Sequence, residues 1–217
     1  MSHPALRDSP LRTIRLHGHP LSGHVHRAEL FMSLLGLPFE KIMVDLTCGE
    51  HKQPAFLALN PFGQLPVIED GDFVLADSNA ILVYLALTFD ASGRWLPRDA
   101  IGAACVQRWL SVAAGQLAHG PAAARVAVLF GRPVDQGPRD AAARLFALME
   151  QQLATQPFLA APHPTIADVA LYSYTAHAPE GGVSLAPYPQ LQQWLARIEA
   201  LPGFVGMQRS AVPEATA

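Results

Sequence analysis

Apolar positions along the chain follow two rhythms, one after the other. Short alternating runs interleave with helical spacing as far as Phe89, and beyond Arg98 only the helical spacing remains. Ile14 and Leu16 alternate with polar neighbours and the run ends at Gly18, which predicts a first strand over Thr13–Gly18. After the turn residues Pro20-Leu21-Ser22-Gly23, the positions Ala28, Phe31, Met32 and Leu35 share one helical face, and Gly36 ends that helix. Phe39–Leu46 reads as a second strand, and Gly49–Leu59 as a short irregular helical stretch interrupted by Pro54. Leu65–Ile68 and Phe73–Ala76 flank Glu69-Asp70-Gly71-Asp72, whose Asp-Gly step signals a hairpin. A helix from Ser78 to Phe89 follows, with Ile81, Tyr84, Leu85 and Thr88 on one face.

That βαβ-α-ββα order is the order of an α/β thioredoxin-like fold, assigned here to residues 11–90. Ala91–Arg98, with Gly93 and Pro97, reads as a linker. An all-α domain is expected over 99–210. Its first helix carries Ile101, Ala104, Cys105, Arg108, Trp109 and Val112, and its second Ala142, Leu145, Phe146, Met149 and Leu153. Ile166, Val169, Ala170 and Tyr174 mark a third helix, and Leu191, Trp194, Leu195 and Ile198 a fourth. Thr165-Ile166-Ala167-Asp168 has the form of a capping box, so Asp168 is expected to cap rather than catalyse.

Composition narrows the partners. The 217 residues are 50% apolar and 15% charged, with a net charge of −3, which supports a packed core. No basic stripe is present, so neither nucleic acid nor an anionic membrane is an expected partner. Apolar runs fall short of the roughly 18 residues a membrane helix needs. Met1–Arg12 lacks the apolar stretch of a secretory signal. Cys48 and Cys105 are far apart and in no metal-like spacing, which suits a reducing, cytoplasmic setting; both are expected to be buried small residues.

Chemistry is expected at three places. Pro66 stands just before the apolar Val67-Ile68, where a proline is tolerated at a strand start or beside a cis bond. A cis bond there turns the amide and carbonyl of Leu65 outward, where an extended peptide could pair with them. Asp77 and Ser78 head a helix whose first amides are unpaired. Together these suit a small peptide with several charges. Ser22 lies in the turn where thioredoxin-like folds put their sulfur chemistry. It cannot form a disulfide, but it can cap the helix or donate a hydrogen bond to a bound thiolate. Doing both is expected only if its hydroxyl is not committed to its own helix. His17, His19, His24 and His26 crowd ten residues, yet no cysteine or carboxylate lies between the pairs, so no metal site is assigned. One of these histidines near Ser22 could tune a thiolate electrostatically.

His19-Pro20-Leu21-Ser22, Gly49-Glu50-His51-Lys52, Asn60-Pro61-Phe62-Gly63-Gln64-Leu65-Pro66 and Asp77-Ser78 together resemble the cytosolic glutathione transferases of serine type, in a phi-like pattern. The resemblance implies that Ser22 stabilises the thiolate of glutathione, a co-substrate, with no further cofactor. It implies that His51 and Lys52 meet the glycine carboxylate and that Gln64 and the backbone of Leu65 before cis-Pro66 hold the cysteinyl part. Asp77 and Ser78 then receive the γ-glutamyl end. Asp77 departs from the phi-like pattern, which has the longer Glu there. The resemblance further implies a homodimer and an apolar electrophile bound by the helical domain, with walls expected around Val112, Gln116, Arg125 and Phe130. Peroxide or disulfide reduction, and ligand binding without catalysis, are the alternative activities on such a fold.

Overall fold

The computed structural model describes residues 12–133 and 135–210. The expectation for the N-terminal leader falls almost wholly outside them.

Four strands, β1 (Ile14–Gly18), β2 (Phe39–Met43), β3 (Val67–Asp70) and β4 (Phe73–Ala76), form one sheet in the order β2-β1-β3-β4. β1 pairs parallel with β2 and antiparallel with β3, and β3 turns through Gly71 into β4. Helix α1 (Gly23–Leu34) links β1 to β2. α2 (Pro54–Leu59) follows a single 3₁₀ turn at Glu50–Lys52, and α3 (Ser78–Phe89) follows β4. This is the thioredoxin-like order expected from the sequence. Several boundaries differ: β1 starts at Ile14 rather than Thr13, and β3 runs on to Asp70 rather than ending at Ile68. β2 ends at Met43 rather than Leu46, though the Val44 amide still donates to the Gly18 carbonyl at 3.0 Å. β3 starts at Val67 because Pro66 has no amide for the ladder. Pro54 also starts α2 rather than interrupting a helix, since a missing N–H costs nothing in the first turn.

The second half is helical among the described residues. α4 (Ala100–Val112) runs through a wide π-type stretch (Ala113–Ala122) into α5 (Ala123–Leu129), and Pro121 lies inside that stretch. α6 (Gln136–Leu153), α7 (Ile166–Ala176) and α8 (Pro189–Glu199) follow, with a 3₁₀ turn at Ala178–Gly181. Every apolar position expected in α6 and α8 is buried. α4 is rotated from the expected face: Val106, Trp109 and Leu110 face the core, whereas Ile101 and Cys105 are exposed. Counting Ile101 and Cys105 as core positions chose the wrong edge of the stripe. Cys48 is exposed too, so neither cysteine is the buried residue expected.

α7 is the pillar. All its residues from Ile166 to Thr175 are buried, and it packs against α1, α3 and α4. A single core therefore runs from Ile14 and Phe31 through Leu171 to Trp194. The capping box at its start is formed as expected. The Asp168 carboxylate accepts the Thr165 amide at 2.8 Å and also the Leu159 amide and the Trp194 Nε1–H, each at 2.9 Å. One buried carboxylate thereby fixes the start of α7 to α8 and to the preceding loop.

Candidate active site

Strand pairing brings the expected segments together. His17 of β1 lies opposite Val67 of β3, so the Ser22 turn leaves the sheet beside the Leu65–Pro66 step. That peptide bond is cis, as expected. The turn before it is built by Asn60, whose Nδ2 donates to the Gln64 carbonyl at 2.8 Å and whose Oδ1 accepts from the Phe62 amide. Gly63 has φ 58°, and a Cβ there would meet the His51 carbonyl at 2.7 Å and Lys52 Nζ at 2.9 Å. Only glycine fits that approach. Lys52 Nζ donates to the carbonyls of Phe62 and Gly63, at 3.3 and 2.8 Å, so this exposed cation is already tied to the turn. His51 stands next to it with a buried Nδ1 that lacks a partner among the described residues, and the Gln64 side chain is exposed.

Ser22 is the N-cap of α1: its Oγ accepts the Val25 amide at 3.3 Å. The cap expected of a serine at this place is formed. Capping uses a lone pair of the hydroxyl oxygen and leaves its proton free to donate elsewhere. The two roles are compatible.

Asp77 caps α3 through Oδ1, which accepts from the Asn79 and Ala80 amides at 2.9 Å each. Among the non-glycine described residues it is the one with positive φ, 73°. Such a conformation costs on the order of 1–3 kcal/mol and is tolerated where the surroundings impose it. Ser78 is buried beneath it. Its Oγ accepts from Arg27 Nη1 at 3.1 Å and lies 3.2 Å from His24 Nδ1. Because Arg27 only donates, and also reaches His24 Nδ1 at 3.0 Å, that nitrogen is an acceptor and the imidazole is neutral.

Arg27 is the residue that sequence reading missed. It is 1% exposed, with Nε and Nη2 unpartnered among the described residues. Its guanidinium carbon lies 5.6 Å from the centre of the Tyr174 ring. Burial lowers its pKa to about 10, opposed by the nearby Tyr174 and Asp77. A signal existed. Positions 25–28 and 30–32 of α1 are all buried, so the helix is enclosed on most sides and a charge within it needs a reason.

The four clustered histidines disperse. His17 Nε2 meets Glu69, His19 Nδ1 accepts the Leu21 amide, and His24 serves Ser78. His26 bridges α1 to α7 and the C-terminal segment: Nε2 donates to the Val205 carbonyl at 2.9 Å, which leaves Nδ1 to accept from Ser173 Oγ at 2.8 Å. Among the described residues no three metal-ligating side chains converge. The expected pocket walls divide similarly: Gln116 and Phe130 are exposed, Val112 is half-buried, and Arg125 is buried and occupied elsewhere.

Burial lowers the His26 pKa to about 4. The unfolded chain protonates this imidazole near pH 6.5, whereas the native state does not until near pH 4. The contribution is therefore complete above pH 6.5 and is lost as pH falls towards the folded value. Between pH 7 and pH 5 His26 alone should remove about 2 kcal/mol of stability. Urea unfolding at the two pH values, in wild type and His26→Asn, checks this: the loss should shrink in the variant, and an equal loss in both would contradict it.

The sequence model of the glutathione S-transferase N-terminal domain matches residues 12–87, and that of the C-terminal domain matches residues 135–197. Over 203 residues the chain is 37% identical to glutathione S-transferase 3 of Zea mays, covering 88% of this chain and 91% of that protein. Human glutathione S-transferase theta-2 is 32% identical over 193 residues, 80% of this chain and 75% of that one. A glutathione S-transferase structure from Pseudomonas fluorescens Pf-5 superimposes with a TM-score of 0.84 at 34% identity, covering 90% of this chain and 99% of that chain. A Drosophila mojavensis glutathione transferase homolog, solved with bound glutathione, superimposes with a TM-score of 0.80 at 29% identity over 88% of this chain and 89% of its own. In fold, in sequence and along nearly its whole length, the chain belongs to the glutathione S-transferase family.

Proposed function

We propose that this glutathione transferase holds glutathione along the Lys52–Leu65–Ser78 surface and stabilises its thiolate at Ser22, for attack on an apolar electrophile. The observation that carries the reading is the Ser22 hydroxyl, which caps α1 by accepting and keeps its proton to donate. A thiol near pKa 8.5 moves down by about two units for roughly 2.7 kcal/mol of preferential thiolate stabilisation. One charge-assisted hydrogen bond and a helix N-terminus are of that order. A serine hydroxyl is too weak a base to take the thiol proton, so the contribution is electrostatic.

The remaining roles follow from charge and availability. Leu65 stands just outside the ladder and its backbone pairs with the cysteinyl part, with Gln64 beside it. Lys52 uses two donors on the turn and has a third for the glycine carboxylate, with His51 adjacent. Asp77 commits Oδ1 to its helix and offers Oδ2 to the γ-glutamyl ammonium. Ser78 can redirect its proton from His24 to the γ-glutamyl carboxylate, over the buried charge of Arg27. No cofactor is needed for this chemistry.

We assign the glutathione-binding unit to residues 11–90 and the helical unit, which supplies the electrophile pocket, to 99–210. No helix among the described residues is long and apolar enough to cross a membrane. Two exposed, unpaired cysteines suit a reducing cytoplasm. A homodimer is supported by apolar side chains left in solvent on both units: Phe62 and Ile101 are each 79% exposed, and Phe73 and Leu87 are also open.

Ser22→Ala should raise the pKa of bound glutathione towards its free value and lower turnover roughly 10- to 1,000-fold, as loss of one preorganised donor does. Glutathione affinity should fall much less. Ultraviolet titration of the bound thiolate is the check; superimposable curves with unchanged turnover would leave Ser22 as a cap only. Light scattering should give twice the 23.3 kDa chain mass. Phe62→Ser should shift it towards the monomer, and a fully active monomeric wild type would rule the dimer out.

A further inference from the structure

The turn that carries Ser22 is held from the helical half of the chain. Arg125 of α5 is 1% exposed, and its Nη1 donates to the carbonyl of Leu21 at 2.7 Å. The Leu21 carbonyl oxygen and the Ser22 nitrogen belong to one planar peptide unit, so Nη1 lies within about 5 Å of that nitrogen. On its other side the same guanidinium donates through Nε to Glu180 at 2.7 Å. Glu180 is itself buried and is bound by His177 and Ser210. Burial alone would raise the Glu180 pKa, but these three partners together hold it below the usual range.

The packing around this contact leaves little freedom. A Cβ on Gly181 would meet the Arg125 amide nitrogen at 2.6 Å, so the 3₁₀ turn carrying Glu180 lies flat against α5. A Cβ on Gly23 would meet Cζ of Tyr174 at 2.8 Å, so α7 presses on the residue just after Ser22. Arg125 Nη2 is enclosed without a partner among the described residues. A buried guanidinium with an unused donor is costly as packing alone. It is accounted for if what it holds must be held accurately.

We propose that Arg125 is a positioning residue for the reaction at Ser22: anchored by Glu180, it fixes the Leu21–Ser22 peptide and thereby the aim of the Ser22 hydroxyl at the thiolate. The inference rests on the reading of Ser22 given above. It implies that the helical half contributes to activating glutathione as well as to binding the electrophile. Lysine cannot replace the planar fork, which serves Leu21 and Glu180 in two directions at once.

The test uses the full-length protein in two variants. Arg125→Met/Glu180→Met removes the pair together, so no unpaired charge is stranded in the core. Arg125→Lys keeps the charge and loses the fork. Circular dichroism confirms the fold, and the bound thiolate is titrated by ultraviolet absorbance beside wild type and Ser22→Ala. The double variant should raise the thiolate pKa by about half a unit to one unit and lower kcat about 5- to 50-fold. KM for glutathione should stay within about threefold, because the carboxylate contacts are untouched. Arg125→Lys should show the same changes in smaller measure, and it carries the test alone if the double variant does not fold. A folded variant with the wild-type titration and kcat, while Ser22→Ala shifts its curve, would overturn the role of Arg125 alone. A Ser22→Ala curve that does not move would overturn the Ser22 reading and this inference with it.

Discussion

The buried start of α1 is the constraint on which the rest of the molecule depends. A helix beginning in the interior exposes amides that must find partners, and here the cap is Ser22, the proposed thiolate donor. Ser22 accepts the Val25 amide, and the Tyr174 ring closes over Gly23. His26 ties the first turn and a half of the helix to Ser173 and Val205. The α/β unit and the helical unit are therefore joined beside Ser22, the proposed thiolate donor. The core that runs through both is the packing expression of the same join.

Electrostatics at this junction is uneven by design of the packing. Two arginines, Arg27 and Arg125, lie almost wholly out of solvent near α1. Among the described residues only Arg125 of the two has a carboxylate bonded to it; Arg27 has a serine, an imidazole, the Asn79 amide oxygen and an aromatic face. Arg27 thus leaves a positive charge that water does not screen, beside a helix N-terminus that adds to it. A tripeptide with two carboxylates and a thiolate is suited to such a surface. The neutral state of His24, whose pKa burial and Arg27 lower to about 3, is the local adjustment that keeps this crowding tolerable.

Much of this was legible in the sequence because it is local. Strand alternation, the Asp-Gly hairpin, the capping box of Thr165 and Asp168 and the proline before β3 each act within a few residues. Each appears in the fold where it was expected. The helical face of α6 was legible because Ala142, Leu145, Phe146, Met149 and Leu153 recur at helical spacing and all are buried, with Leu148 the one large apolar residue on its outer side. α4 was not, because it mixes apolar residues on both its buried and its exposed sides. Ile101 and Cys105 face outward on the same helix whose Val106 and Leu110 face inward. The continuation through Ala113–Leu129 was hidden by alanine and glycine, which mark no face. Arg27 escaped, and Arg125 was placed in the pocket wall instead, for a different reason: their contacts reach partners 51 and 104 positions away in sequence. No spacing rule reaches that far. Lys52, picked for its charge, also holds its own loop together.

Neither the Ser22 cap nor the cis-Pro66 step distinguishes an active thiolate site from a packed turn by itself. Glutathione bound across both would. A crystal structure with glutathione bound is the most direct measurement. The sulfur should lie within hydrogen-bonding distance of Ser22 Oγ, with the cysteinyl backbone paired to Leu65, the glycine carboxylate at Lys52 and the γ-glutamyl carboxylate at Ser78. A ligand seated on that surface with its sulfur turned away from Ser22 and towards another donor would contradict the account.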